Sequence, residues 1–365
     1  MDSRLVAWIR LNMAEGMGIP RKLELLRILK TPEAVFELGC KELTGLGLKP
    51  HQADSLLQPE KLQESEEILS ICEKKGIRVI PLDDDEYPEL LRYIHDPPLV
   101  LYVKGIIPKG MCIGIVGSRK ATGYGMDTAF RLASDLAEEG CVIVSGMARG
   151  IDTAAHTGAL HAEGKTIAVL GCGPDKVYPP ENRGLMERII KNGAVISEYP
   201  PGTKPETYHF PVRNRIISGT SLGVIVVEAS RKSGSLITAQ AALEQGREVF
   251  AVPGNINHLN SQGTNRLIRE GAKLVTSADD ILEEIPWSLA ALSERKNTYD
   301  SEAEQLSYEE GIILETLKKE DLYGDEISAR TGFPAHVLFS ALLQLELKGL
   351  IRKDISGRYA AVTDA

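Results

Sequence analysis

The stretch CIGIVGSRKATGYG, residues 112–125, is a short apolar run followed by a glycine-rich turn and the start of an amphipathic segment. The same order recurs through the middle of the chain. The later apolar runs are CVIVS (141–145), TIAVL (166–170), AVIS (194–197), GVIVVEA (223–229), EVFAVPG (248–254) and AKLVTS (272–277). This alternation predicts an α/β fold with a mainly parallel sheet covered by helices on both faces. In such sheets, ligands bind beyond the carboxyl ends of the strands.

The two ends of the chain have different patterns. Apolar residues recur at helical spacing from Leu5 to Leu57, interrupted by turns such as Gly45-Leu46-Gly47, which predicts a helical domain similar to SAM or helix-hairpin-helix modules. The turn of such a hairpin can present backbone N–H groups to a phosphate, but it is also common between packed helices. Near the carboxyl end, three helical segments and a strand-like terminus outline a winged helix. The predicted domains are the helical domain with its connecting helix at 1–75, the α/β core at 76–285, a linker at 286–304 and a winged-helix-like domain at 305–365.

Composition and charge exclude several classes of protein. The chain has 365 residues, 43% of them hydrophobic, and five cysteines that form no CxxC pair. No apolar run approaches membrane-spanning length, so we expect a cytoplasmic protein without an export signal. The scattered cysteines argue against a structural metal site and a disulfide framework, and we expect no cofactor. The net charge of −9 divides into −5 for residues 1–103, +1 for 104–285 and −5 for 286–365. Because residues 104–285 are nearly neutral while both flanking segments are acidic, a polyanion could still bind to the core.

The first candidate site is the loop Gly117-Ser118-Arg119-Lys120, between a predicted strand and a predicted helix. Backbone N–H groups at a helix start, a hydroxyl and an arginine fork together suit a phosphate. Neither the GxxxxGK[ST] sequence nor the dinucleotide-binding GxGxxG sequence is present, which argues against ATP and NAD. A tight strand-to-helix turn is the simpler alternative.

The second loop, SGMARGIDTAAH, contributes Gly146 and Arg149. It again follows an apolar run and opens a helix, in which Asp152 suits the N-cap position. His156 could act as a base, but the sequence shows no carboxylate partner for it. We therefore expect a structural or hydrogen-bonding role for this histidine.

The third region, HFPVRNRIISG, is the densest in polar groups. Arg213 and Arg215 flank Asn214, and the aromatic Phe210 precedes them. Such a group suits a phosphate with an unstacked base beside it. Alternatively, the arginines pair with Glu228 on the next strand, and both readings can hold together because such a pair would orient an arginine.

These motifs resemble, in order and spacing, the bacterial DNA-processing protein A family, DprA or Smf. The resemblance spans about residues 80–280 and is carried by GIVGSRKATGYG, VSGMARGIDTAAH, LGCGPDKVYPPEN, HFPVRNRIISG and VVEASRKSGSLITA. It implies an extended Rossmann-like core with a SAM-like domain before it and a winged-helix-like domain after it. It also implies a non-enzymatic homodimer that binds single-stranded DNA, protects incoming DNA and loads RecA during natural transformation, displacing single-strand-binding protein or sharing the strand with it.

The resemblance further implies roles for individual residues. The glycine-serine-arginine loop would hold a phosphate, and Phe210 would lie at a nucleotide pocket with Arg213 and Asn214 around it. Relatives often carry a lysine three residues before that phenylalanine, where this chain has Thr207, so Lys204 is the nearest substitute. The candidate DNA-binding residues are Gly117, Ser118, Arg119, Lys120, Gly146, Arg149, Lys204, Phe210, Arg213, Asn214, Arg215, Ser233 and Gly234.

Two other functions compete with this one. The core also resembles nucleotide phosphoribohydrolases of the lysine-decarboxylase-like group, for which Glu228 and Asp152 could supply acid or base, but their PGGxGTxxE loop is absent. A transcription factor or pure interaction protein could instead use the winged helix. Its predicted recognition helix, residues 334–349, is poor in basic residues, which leaves protein contact, or duplex binding through a wing with Arg352, Lys353 and Arg358.

Overall fold

The structure is a computed structural model. The chain forms two compact units, residues 1–286 and 287–365. The predicted linker at 286–304 and most of the predicted recognition helix lie outside the described residues. The described residues are 2–285, 308–318, 320, 322–333, 337–339, 341–342, 345, 350–353 and 358–361.

The chain begins with six helices, as the apolar spacing predicted. Proline occupies the first turn of α2, α3, α5 and α6, where its missing N–H costs nothing. Their buried faces share one apolar cluster with the first two strands, in which Trp8, Leu25 and Leu56 join Tyr102 of the sheet. These helices are α1 (Ser3–Asn12), α2 (Ile19–Leu29), α3 (Pro32–Glu37), α4 (Cys40–Gly45), α5 (Pro50–Leu57) and α6 (Pro59–Lys74).

A nine-stranded sheet forms the core, in the order β1-β2-β6-β5-β4-β3-β7-β8-β9. The pairs β1–β2 and β2–β6 are antiparallel, and all others are parallel. Every apolar run named above forms a strand, so the mainly parallel α/β core is confirmed. The strands are β1 (Arg78–Pro81), β2 (Val100–Gly105), β3 (Cys112–Val116), β4 (Val142–Ser145), β5 (Thr166–Leu170), β6 (Gly193–Ser197), β7 (Gly223–Val226), β8 (Glu248–Ala251) and β9 (Lys273–Leu274).

Helices cover both faces of this sheet because successive strand residues point to opposite sides. On β3, Ile113 and Ile115 pack in the cluster that contains Leu132 of α8, whereas Val116 packs in the cluster that contains Ile217 of α11. The helices of the core are α7 (Glu89–Arg92), α8 (Gly123–Glu138), α9 (Ile151–His161), α10 (Arg183–Asn192), α11 (His209–Thr220), α12 (Ser235–Glu244), α13 (Gln262–Arg269) and α14 (Asp279–Leu282).

The order of the central strands reverses next to β3. From β3 the chain moves outward through β4, β5 and β6, and then returns to the other side of β3 to form β7. The loops that follow β3 and β7 therefore leave the carboxyl edge of the sheet in opposite directions. The order β5-β4-β3-β7-β8-β9 is that of Rossmann-like folds.

The described parts of the second unit contain helices and a hairpin, in agreement with the predicted winged helix. Helix α15 (Tyr308–Leu317) and α16 (Gly324–Thr331) precede an antiparallel pair, β10 (Ile351–Lys353) and β11 (Tyr359–Ala361). Residues 337–339, 341–342 and 345 are also helical. Ile313, Leu317, Ile327, Leu342 and Leu345 are among the buried residues of its apolar core.

Membrane-spanning helices and metal-binding clusters are both absent from the described residues. None of the helices there is long and apolar enough to cross a bilayer. No group of three or more histidine, cysteine, aspartate or glutamate side chains is placed there to hold a metal ion.

The helical domain contains a buried lysine on α2. Lys22 is 5% exposed, and its Nζ donates to the Asn12 carbonyl oxygen at 2.6 Å. Burial lowers the pKa of Lys22 from 10.5 to about 8. The folded chain therefore binds this proton less tightly than the unfolded chain, so the free energy of unfolding should rise as the pH rises from about 8 to 10.5.

We predict that Lys22→Met stabilises the protein at pH 7. The substitution keeps an apolar stem and removes a buried charge, at the cost of one hydrogen bond to Asn12, for a net gain of about 1 kcal/mol. Urea unfolding at pH 7 and at pH 10 should show an advantage that shrinks at the higher pH. The exposed Lys41→Met is the matched control, and equal midpoints for both variants would contradict the prediction.

Candidate nucleic-acid interface

A pocket lies at the carboxyl ends of β4 and β5, beside the loop that follows β3. Four of the predicted site residues contribute to it, from three separate segments of the chain. The pocket is lined by Arg119, Gly146, Ala148, Arg149, Leu170, Gly171, Cys172, Tyr178, Pro179 and Phe210.

The loop after β3 is held by a buried carboxylate. Glu228 is 4% exposed and accepts hydrogen bonds from the Thr122 N–H at 3.0 Å and from the Thr122 hydroxyl. Asn260 donates both to Glu228, at 3.2 Å, and to the Lys120 carbonyl, at 2.8 Å. Thr122 in turn caps α8 by accepting from the Gly125 N–H at 3.1 Å. Glu228 therefore fixes the turn on which Arg119 is carried.

Close packing explains the glycine that begins this loop. A Cβ on Gly117 would lie 2.5 Å from Ile151 Cγ1 and 3.0 Å from the Glu228 carbonyl oxygen. Ser118 Oγ accepts from the Lys120 N–H at 3.1 Å, which tightens the turn. The side chains of Arg119 and Lys120 are exposed.

A cation and two aromatic rings meet at the pocket. The Arg119 guanidinium lies over the Phe210 ring, 5.0 Å from its centroid. The Tyr178 and Phe210 rings are 5.4 Å apart and inclined by 33°. Gly171 lies under Phe210, where a Cβ would be 3.0 Å from the ring carbon Cδ1. This arrangement places a guanidinium, which suits a phosphate, beside two aromatic rings, which suit a base, although the Phe210 ring is covered by Arg119 and Gly171.

Arg213 lies beneath the pocket rather than at its surface. It is 3% exposed, and its Nη1 donates to the Val169 carbonyl oxygen at the end of β5. Burial lowers the pKa of Arg213 to about 10, although the neighbouring Asp152 carboxylate opposes this shift. The side chain thus keeps its positive charge at neutral pH. Its guanidinium takes the space where Gly146 has no side chain, since a Cβ there would be 2.1 Å from Nη1.

The neighbours of Arg213 on α11 point elsewhere. Asn214 Nδ2 donates to the Gly234 carbonyl oxygen at 3.3 Å and so ties α11 to the start of α12. Arg215 forms ion pairs with Glu198, at 2.8 Å, and with Asp96, at 2.9 Å, and does not line the pocket. The anticipated pairing with Glu228 is thus replaced by other carboxylates.

The remaining predicted residues lie around this centre. Arg149 lines the pocket and pairs with Glu181 on the surface. The hydroxyl of Ser233 lies 2.7 Å from that of Ser235, at the start of α12. Lys204 is exposed on the segment between β6 and α11 and does not line the pocket.

The histidine of the second loop is part of the core. His156 is fully buried, and its Nδ1 lies 2.7 Å from the Thr166 hydroxyl. Burial, with a smaller effect of the Arg213 charge, lowers the pKa of His156 to about 3. It is therefore neutral at physiological pH, in keeping with the structural role that the sequence indicated.

Sequence reasoning missed Tyr178 as a pocket residue. It lies in the segment KVYPPEN, where a tyrosine stands between a valine and two prolines. The signal available was an aromatic residue in an irregular loop after an apolar strand. That signal is weak, because nothing local shows that α11 will bring Phe210 against it.

Family models match both the core and the carboxyl-terminal part of the chain. Residues 78–286 match the family model described as DNA recombination-mediator protein A, and residues 298–354 match the DprA winged helix domain. The chain belongs to the DprA/Smf family. The DNA processing protein DprA of Bacillus subtilis is 49% identical over 222 residues, which are 60% of this chain and 75% of that protein. Protein Smf of Escherichia coli is 40% identical over 336 residues, 90% of this chain and 89% of that protein.

Solved structures of the family agree with the fold. The X-ray structure of DNA processing protein A from Streptococcus pneumoniae matches with a TM-score of 0.66 at 39% identity, over 78% of this chain and 99% of that one. A structure that describes the single-stranded DNA binding mode of the Helicobacter pylori protein matches with a TM-score of 0.51 at 31% identity, over 57% of this chain and 94% of that one. The Rossmann-like core and the winged helix implied by the DprA/Smf resemblance are confirmed.

We predict that Gly146→Ala destabilises this DprA/Smf protein by about 2–4 kcal/mol, because the new methyl group would overlap the buried Arg213 guanidinium. Thermal melting followed by circular dichroism measures the loss. Gly184→Ala on α10 is the control, since a Cβ there meets nothing within 4 Å. Similar melting temperatures for the two variants would show that the guanidinium can move without cost.

Proposed function

We propose that this protein binds single-stranded DNA at the pocket between the loops after β3, β4 and β5, as a recombination mediator. The contact that carries the proposal is the Arg119 guanidinium over the Phe210 ring, with Tyr178 beside it. In the proposed complex, a base extruded from a single strand takes the place of the Arg119 guanidinium on the Phe210 ring, and Arg119 turns to the phosphate of that base. The single-stranded DNA binding named for the Helicobacter pylori relative supports the same assignment.

Within the proposed site, residues divide into contacts and supports. Arg119, Lys120, Ser118, the Gly117 turn and Phe210 are exposed or half-buried at the edge and would touch the strand. Arg213 and Asn214 are buried, so they support the pocket from below. We assign Lys204 a phosphate contact at the margin of the site. Arg215, held by two carboxylates, is left out of the binding set.

Binding is a better explanation of this site than hydrolysis. The two candidate acid or base groups, Glu228 and Asp152, are both buried. Glu228 accepts hydrogen bonds from Thr122 and Asn260, and Asp152 accepts one from the Ala148 N–H at 3.3 Å. Carboxylates engaged in this way orient their neighbours more often than they transfer protons. Incubation with AMP should therefore release no adenine.

The partners proposed for this chain follow from its family. We propose that it acts in the cytoplasm as a homodimer, that it protects DNA taken up during natural transformation, and that it loads RecA onto strands shared with single-strand-binding protein. Two protomers on one strand would gain avidity from individually modest sites.

We predict that oligo-dT binds much more tightly than a matched duplex and that Arg119→Ala weakens this binding. Loss of one phosphate contact should lower the slope of log affinity against log salt by about 0.7. Phe210→Ala should weaken binding about tenfold with little change of that slope, because stacking is not ionic. Fluorescence anisotropy at several salt concentrations measures both quantities.

The control for this experiment is Arg188→Ala, which removes an exposed arginine from the middle of α10, away from the pocket. It should bind as the wild type does. Equal affinity for duplex, or equal affinities of all three variants and the wild type, would place the binding site elsewhere in the chain.

We also predict that the wild-type protein accelerates assembly of RecA on single strands coated with single-strand-binding protein, and that Arg119→Ala does not. ATP hydrolysis by RecA reports the assembly. If the wild type binds oligo-dT but gives no acceleration, the mediator role fails while the DNA-binding role stands.

A further inference from the structure

An ion pair connects the helical domain to the loops at the proposed DNA site. Lys75, directly after α6, places its Nζ 2.6 Å from Asp175 Oδ2, in the loop after β5. The Asp175 side chain is only 6% exposed, whereas that of Lys75 is 45% exposed. The other oxygen of the carboxylate, Oδ1, accepts from the Gly202 N–H at 2.8 Å. One carboxylate therefore joins three segments that are far apart in sequence.

The loops after β5 and β6 are held together at the same place. The Gly173 N–H donates to the Thr203 carbonyl oxygen at 3.0 Å, and Ser197 Oγ donates to the Cys172 carbonyl oxygen at 2.7 Å. A Cβ on Gly173 would lie 2.6 Å from the Pro200 carbonyl oxygen and 2.8 Å from Asp175 Oδ1. The two loops are therefore packed backbone to backbone.

Both loops continue directly into residues of the proposed site. Gly171 and Cys172, which precede this contact, line the pocket. Lys204 is the next residue after Thr203. The Asp175–Gly202 and Gly173–Thr203 hydrogen bonds thus hold the backbone immediately before Lys204.

The charge of Asp175 depends on its neighbours. Burial alone would raise the pKa of Asp175, but the hydrogen bonds from Lys75 and Gly202 outweigh it and hold that pKa below its ordinary value. Without Lys75, a nearly buried carboxylate would lose its counter-charge. The loop would then gain by turning the carboxylate out to solvent, which releases Gly202.

We propose that the Lys75–Asp175 ion pair is a positioning contact through which the helical domain holds the segment 200–204, and with it Lys204, at the margin of the DNA-binding site. This inference rests on the proposed function. It gives the helical domain a part in DNA affinity that requires no contact between that domain and DNA.

The sign of one substitution separates this proposal from simple electrostatics. If Asp175 acts on DNA only through its charge, Asp175→Asn removes a repulsion and should tighten binding. If it positions the loop, Asp175→Asn should weaken binding although a negative charge has been removed. Lys75→Ala should weaken binding in both cases, so it cannot decide alone.

The experiment measures binding of fluorescein-labelled oligo-dT by the full chain, together with hydrogen exchange of the segment 200–204 without DNA. We expect Lys75→Ala and Asp175→Asn each to weaken binding about fivefold and to accelerate exchange in that segment. Lys75→Arg should preserve both properties. Lys74→Ala, which removes the exposed lysine immediately before Lys75, should behave as the wild type.

A double variant tests whether the effect passes through Lys204. Lys75→Ala with Lys204→Ala should bind no more weakly than Lys204→Ala alone, because the positioning contact has nothing left to position. Additive losses would mean that Lys75 meets DNA directly, and tighter binding by Asp175→Asn would likewise overturn the proposal. Unchanged exchange in the segment 200–204 would overturn it even if binding weakens.

Arg119→Ala in the same titration separates the two levels of inference. If it loses affinity while Lys75→Ala and Asp175→Asn do not, the DNA site stands and the positioning contact falls. If the wild type shows no preference for single strands, the proposed function itself fails. A melting curve for each variant identifies any that does not fold, and Asp175→Asn, which keeps the side-chain shape, is the variant least exposed to that problem.

Discussion

Arg213 places a positive charge beneath the pocket, where only a residue without a side chain at position 146 leaves room for it. A buried guanidinium is costly, and here its Nη1 donates to the Val169 carbonyl and the nearby Asp152 favours its charge, whereas its Nε has no hydrogen-bond partner among the described residues. The side chain thereby ties α11 to the end of β5 and to the loop after β4. Phe210 lies three residues earlier on α11, so the same anchor sets the ring against Arg119 and Tyr178. Arg213 therefore supports, from below, the side of the pocket that Phe210 forms.

Features that depend on residues close together in the chain could be predicted from the sequence. Alternating apolar runs predicted each parallel strand, and glycine, serine and arginine after β3 predicted a loop with exposed cations at the carboxyl edge. It could not distinguish Arg213 from Arg215, although the structure buries the first under the pocket and pairs the second with Glu198 and Asp96. Two residues apart on a helix differ by about 200° in direction, so similar side chains meet unrelated partners. Which partner each one meets depends on strands distant in sequence.

The same limit applies to Glu228. Its position after an apolar strand indicated an edge residue, and an arginine was a reasonable partner to expect. Its actual partners, Thr122 and Asn260, come from opposite sides in sequence and are brought together only by the reversal of strand order between β3 and β7. Because Glu228 is engaged by Thr122 and Asn260, it does not compete with a bound anion for Arg119. A rigid turn carrying an exposed cation is well suited to an anion, because little flexibility is lost on binding.

The role proposed for Lys204, in place of a lysine at position 207, gives the loop contacts their importance. A lysine at that position would lie next to the start of α11, and the helix itself would hold its backbone. Lys204 lies further away, beyond Pro205 on a segment without regular structure, so no helix holds its backbone. The hydrogen bond from Gly202 to Asp175 and the pairing of Asp175 with Lys75 are two of these loop contacts. The phosphate contact proposed for Lys204 lies on a loop rather than at a helix start, and the end of α6 contributes to holding that loop.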